Sequence, residues 1–139
     1  MRITVKPRMA ELIASLRAIN PLIKIAYHTD GVVYPIIPDL IEIGIDILNP
    51  IQPMAMDPVK LKNDYGDQLC FWGSMDIQQT LPFGTPDEVK DEVLSRIKTI
   101  GRRGGLIIGP THNLQLDTPL ENLWSMVNTI VQTPCASLA

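Results

Sequence analysis

The stretch TPDEVKDEVLSRIKTIGRRGGLIIGPTHN, residues 85–113, decides the fold. It opens on a capping box. The Thr85 oxygen can accept an early backbone N–H, and Glu88, three residues on, can reach back to the Thr85 N–H. Val89, Val93, Leu94, Ile97 and Ile100 then recur at helical spacing, and Gly101 ends the run. Leu106 to Ile108 is a short apolar core of the kind buried in a parallel sheet. It runs straight into a polar turn, Gly109-Pro110-Thr111-His112-Asn113.

The same unit repeats in both directions. On the C-terminal side, Thr118-Pro119-Leu120-Glu121 reads as a second capping box. Leu120, Leu123, Trp124, Val127 and Val131 form the expected apolar face of the last helix. Residues 134–139 read as a tail. On the N-terminal side, Gln68 to Trp72 is a strand, and a long loop from Ser74 to Gly84 joins it to the capped helix. Before it, Asp57-Pro58 is an N-cap with proline in the first helical position, and that helix stops at Gly66. Ile45 to Leu48 is another strand, preceded by a short helix confined by Pro35 and Pro38. Gly44, just after that helix, suits a left-handed C-terminal cap. Leu22 to Tyr27 is the first strand. The helix before it, after Pro7, carries Met9, Leu12, Ile13, Leu16 and Ile19 and ends at Asn20-Pro21. The order is one helix and then four βα units, an α/β chain with a parallel sheet. Residues 1–133 form a single domain in this reading.

Composition narrows the functional classes. With 45% apolar and 19% charged residues and a formal charge of −3, the chain reads as an ordinary globular protein. Nothing basic enough for nucleic acid is present. The densest basic run, Arg102-Arg103, falls in a helix-to-strand turn. No apolar run approaches the ~20 residues of a membrane span, so no membrane partner is expected. Cys70 and Cys135 have no Cys-x-x-Cys spacing, which fits a reducing, cytoplasmic compartment.

In parallel α/β folds, ligands bind at the carboxyl ends of the strands. Here those ends are His28-Thr29-Asp30-Gly31, then Asn49-Pro50-Ile51-Gln52, then Gly73-Ser74-Met75-Asp76, and Gly109 to Asn113. Both histidines of the chain fall in this set. The candidate catalytic residues are therefore His112 and His28. Asp30, Asn49, Gln52, Asp76 and Asn113 are candidates for binding substrate. Each has a structural alternative: Asp30 and Asp76 as caps, Asn49 and Gln52 as partners of loop backbone, His28 as a core histidine bonded to a carbonyl. His28, Asp30 and His112 supply nitrogen and oxygen donors acceptable to zinc, although this spacing alone specifies no metal. No phosphate-binding glycine loop and no nucleophile motif occurs.

The strand ends resemble the uroporphyrinogen decarboxylase superfamily. The resembling stretches are residues 27–31, 44–52, 72–76, 79–89 and 112–122, in one order along nearly the whole chain. The resemblance implies a TIM (βα)8 barrel. It also implies one of two chemistries: cofactor-free decarboxylation of a tetrapyrrole, or zinc-dependent methyl transfer involving a corrinoid. An eight-unit barrel takes about 250 residues, so four units correspond to its C-terminal half. The family's carboxylate-holding arginines and pyrrole-binding aspartate belong to the other half, and His112 matches the histidine after the last strand. In the thiol methyltransferases zinc is held by a His-x-Cys pair and a later cysteine. His28 matches the first ligand and Asp30 stands where that cysteine would be. The Gln79 to Pro86 wording is closer to the methyltransferase-like branch. The alternative is an inactive tetrapyrrole- or corrinoid-binding or assembly module; a metal-dependent hydrolase is a third reading. Four parallel strands leave two open edges, so a homodimer or a missing N-terminal half is the expected partner.

Overall fold

The computed structural model describes residues 2–133; the tail read at 134–139, with Cys135, lies outside the described residues. One four-stranded sheet runs in the order β1 (Ala26–His28), β2 (Ile47–Ile51), β3 (Cys70–Met75), β4 (Leu106–Pro110), and all three pairings are parallel. Helix α1 (Val5–Ile19) precedes it. A 3-10 turn with α2 (Ile37–Glu42), then α3 (Pro58–Tyr65), then α4 (Thr80–Phe83) with α5 (Pro86–Thr99) make the crossovers, and α6 (Leu120–Gln132) follows β4.

Sequential strand order fixes the layering. Parallel crossovers are right-handed, so strands added always on the same side put every helix on the same face. That is barrel winding, in contrast to doubly wound folds, whose order reverses and covers both faces. The architecture is a partial TIM barrel, with no closed barrel among the described residues. The helix-facing side is buried: Leu48 and Phe71, neighbours in register, are both fully buried. The opposite face lies open, and on it Trp72 and Ile107, also neighbours in register, are each more than 40% exposed.

Local chemistry explains most of the elements. The Asp57 carboxylate accepts from the Val59 and Lys60 N–H groups, and the Thr85–Glu88 capping box forms with both of its bonds. Gly44 sits at φ +93° in a Schellman arrangement: its N–H donates to Ile41, and the Ile45 N–H reaches back to Leu40. A Cβ at Gly44 meets neighbours only at ordinary contact distance. Gly44→Ala should therefore cost the left-handed strain alone, about 1 kcal/mol, read as a lower urea midpoint with an unchanged slope.

Helix α1 is tied to α2 by ions. Asp39 accepts from Arg2 Nε at 2.8 Å and Lys6 Nζ at 2.7 Å, while Lys6 also reaches Glu42. The hydrogen bonds from Lys6 and Arg2 hold the Asp39 carboxyl below its ordinary value of 3.8. A carboxyl lowered on folding contributes stability above that ordinary value and loses it as pH falls through the folded value. The melting temperature should thus drop below pH 4, and Asp39→Asn, less stable at pH 7, should show a smaller further drop.

Several sequence expectations are corrected. Helix α1 starts at Val5 and so contains Pro7, tolerated because first-turn N–H groups have no helical partner. Only Ile13, with Met9 against it, enters the core; Leu12 and Ile19 are exposed. Strand β1 is three residues long, and β2, β3 and β4 each end two to three residues later than their apolar runs suggest. Asn49 therefore lies inside β2. The long loop after β3 holds helix α4. The Thr118 capping box does not form; Pro119 occupies the N-cap of α6 without a side-chain bond. The face of α6 is rotated from expectation. Asn122, Met126 and Thr129 are buried, while Leu120, Trp124, Val127 and Val131 are exposed.

Candidate functional site

The sheet brings its two edges together at the carboxyl end. On a flat sheet, β1 and β4 would lie three strand spacings apart, about 14 Å. Yet the rings of His28, at the end of β1, and His112, just past β4, have centroids 6.1 Å apart, edge to face. Barrel-like curling and the inward turn after Pro110 achieve this approach. Asp30 joins them: one ligand atom each from His28, Asp30 and His112 lie within 4.8 Å of one another.

Asn49 sets the state of His28. Its amide nitrogen donates to the Trp72 carbonyl at 3.2 Å, so its oxygen faces His28. That oxygen lies 2.6 Å from His28 Nδ1. An amide oxygen only accepts, so Nδ1 carries the hydrogen and donates it. The Nε2 lone pair is left toward Asp30, whose carboxylate oxygen is 3.6 Å away. In the neutral ring these are two acceptors facing one another, and such a pair favours a proton or a metal cation between them. Donor atoms in a tetrahedral zinc shell lie about 3.3 Å apart, given bonds of ~2.0 Å. Two imidazoles and one carboxylate are a donor set suited to zinc, and an imidazole whose other nitrogen donates outward is the usual arrangement at such centres. The residues present therefore fit a divalent cation.

The other candidates divide by role. Gln52 accepts the Gly31 N–H at 2.8 Å and so fixes the turn carrying Asp30. Asp76 is buried and turned into its own loop, accepting from the Gln78 N–H at 2.7 Å, while its carbonyl accepts from Leu81 N–H. Asn113 is exposed, and only its backbone carbonyl is bonded, to Gln115. The structure thus gathers His28, Asp30, Asn49, Gln52 and His112 and leaves Asp76 and Asn113 outside the cluster.

Sequence reasoning missed the support behind β3. Ser74 is fully buried at φ +80°, and its carbonyl accepts from Arg96, which also pairs with Glu92 at 2.9 Å. It also missed Asn122, whose side chain donates to the Leu81 and Gly84 carbonyls. A buried amide on the core face of a helix has no periodic signature. Cys70 starts β3, at the opposite end of the sheet from the histidines, and burial pushes its thiol up. It is no donor to this cluster.

No helix among the described residues is long and apolar enough to cross a membrane. The family model described as Uroporphyrinogen decarboxylase (URO-D) matches residues 2–133. No curated protein matches the chain.

Proposed function

The chain belongs to the uroporphyrinogen decarboxylase family, and from that premise we propose that it provides the cation-holding half of a group-transfer site, moving a methyl group between a corrinoid and a thiol. The observation that carries this reading is the facing of His28 Nε2 and the Asp30 carboxylate, with His112 beside them. His28, Asp30 and His112 would hold the cation and leave a position open. A zinc ion there lowers the pKa of a bound thiol and so favours the nucleophilic thiolate. Asn49 keeps the His28 lone pair directed inward, and Gln52 holds the Asp30 turn.

The arginines of this chain do not decide between methyl transfer and decarboxylation, because the resemblance assigns the carboxylate-holding ones to the other half of the barrel. Arg2, Arg8, Arg17 and Arg96 are engaged with Asp39, Glu11, Asp46 and Glu92. Arg102 and Arg103 lie in the turn that enters β4, at the other end of the sheet.

The test is an assay with methylcobalamin and a simple thiol, with and without zinc. The expected result is saturable, zinc-dependent transfer, in which the methyl leaves cobalt for sulfur, cobalt keeps the bonding pair and the thiol proton is released. His112→Ala should slow it at least about tenfold with the fold unchanged. Carbon dioxide release from uroporphyrinogen, with no methyl transfer, would contradict the proposal. Saturable corrinoid binding without turnover would favour the binding-module reading instead, which the open inner face supports.

A further inference from the structure

The side chains in line with His28 give the centre a specificity that a cation alone would lack. Register sets His28 beside Asn49, and Trp72 beside Ile107. The Asn49 amide joins the two pairs. Its nitrogen donates to the Trp72 carbonyl at 3.2 Å, while its oxygen meets His28 Nδ1 at 2.6 Å. His28, Asn49, Trp72 and Ile107 therefore form one row across the four strands, on the open face of the sheet.

The members of this row differ in what they can still offer a ligand. Asn49 is 9% exposed, and both ends of its amide are bonded. Trp72 and Ile107 are exposed neighbours and form an apolar shelf beside it. Gly109 is the next residue of β4 on the same face. A Cβ there would meet nothing within 4 Å, so the shelf stays clear toward the turn that carries His112.

The spacing suits a small body attached to the reacting atom. Strands β1 and β3 lie two spacings apart, about 10 Å. A sulfur held at His28, Asp30 and His112 must place its carbon substituent inside that span, over Asn49 and toward Trp72. An indole face favours a flat ring, offset or edge-on with centroids about 4.5–7 Å apart, over a puckered one of equal size.

We infer that the thiol accepted at this centre carries a flat aromatic ring, which sits on Trp72 and Ile107 with its edge in the space left open at Gly109. The inference rests on the thiol-transfer reading above and adds a substrate class to it. Trp72 is then a binding residue that sets specificity, and Gly109 the position that leaves room for the ring. An alkyl thiol reaches the cation but leaves the shelf unused.

The test uses the full chain with Trp124→Phe, in which Trp72 is the only tryptophan, and follows quenching of its fluorescence. Phenylmethanethiol is compared with cyclohexylmethanethiol, which has the same carbon count and the same reach to sulfur but a puckered ring. The zinc-loaded chain should bind the phenyl compound roughly two- to tenfold more tightly, the range expected of aromatic stacking. Gly109→Val should abolish that preference with the circular dichroism unchanged, because the new side chain enters open space. Calorimetry on Trp72→Leu should show the same loss. The sulfur-free pair, phenylmethanol and cyclohexylmethanol, is titrated into the metal-free chain to separate the shelf from the cation. A ring preference there, with thiol affinity indifferent to zinc, would support the shelf and contradict the cation centre alone. Equal affinity for the two rings would overturn the inference, as would a preference that survives both Gly109→Val and Trp72→Leu.

Discussion

Replacing His28 with alanine should lower zinc affinity by on the order of 100-fold or more, while the far-ultraviolet spectrum and urea midpoint barely move. The two halves of this expectation have separate reasons. His28 projects from β1 onto the open face, and its side chain is 55% exposed, so no core packing is lost. At the proposed cation centre it would be one of three donors, and the one whose Nδ1–H is held by a partner. Two remaining donors, Asp30 and His112, come from turns and hold a cation weakly. Asn49→Leu keeps all three donors but removes the acceptor for Nδ1–H. It should cost roughly 10- to 100-fold, the range found when such supporting partners are lost. Cobalt(II) absorption titrations read both variants. A His28→Ala chain that binds cobalt as tightly as the parent would remove His28 from the centre. An Asn49→Leu chain with unchanged affinity would show that the amide only joins β1 to β2.

The largest expected loss of stability is at Asn122, a residue far from the histidines. Its side chain is almost fully buried and donates at 2.9 Å to Leu81 and 2.7 Å to Gly84. These are carbonyls of the last turn of α4 and of the residue that follows it. Asn122→Ala leaves the buried Leu81 carbonyl and the partly buried Gly84 carbonyl without this donor and opens a small void. Each unmade bond costs about 1–3 kcal/mol, so the sum is on the order of 3 kcal/mol. That is a large share of the ~5–15 kcal/mol that holds a domain of this size. A fall of roughly 10 °C in melting temperature is expected. Asn122→Asp should be worse, because a carboxylate would face two carbonyl oxygens. A shift under 2 °C for the alanine variant would mean that α4 and the loop behind it relax without penalty.

The sequence was most legible where local chemistry and tertiary packing agree. The Asp57 and Thr85 caps and the Gly44 turn all form as the residue types predict. The parallel α/β sheet followed from alternating short apolar runs, and the partial barrel from the family resemblance; the strand order was not legible in the sequence. Strand ends were less legible. Asn49 and Ser74 are polar yet buried in the sheet, and a hydropathy reading stops before them. The faces of α1 and α6 were misjudged for one physical reason. Leu12, Ile19, Trp124 and Val131 are apolar at helical spacing, but nothing among the described residues covers them. Periodicity reports that a face is to be covered; it does not report by what. The candidate site was legible as a set of strand ends. Its internal order was not, since the approach of His28 to His112 depends on the curl of the sheet, and the role of Asn49 depends on register with His28.

The measurement that tests the account most directly is X-ray absorption at the zinc edge on the full chain, with metal content determined on the same sample. The account predicts one zinc per chain, a first shell of nitrogen and oxygen near ~2.0 Å with two imidazole signatures, and no sulfur at ~2.3 Å. Absence of stoichiometric zinc after metal loading, or a sulfur-dominated shell, would contradict a centre built from His28, Asp30 and His112.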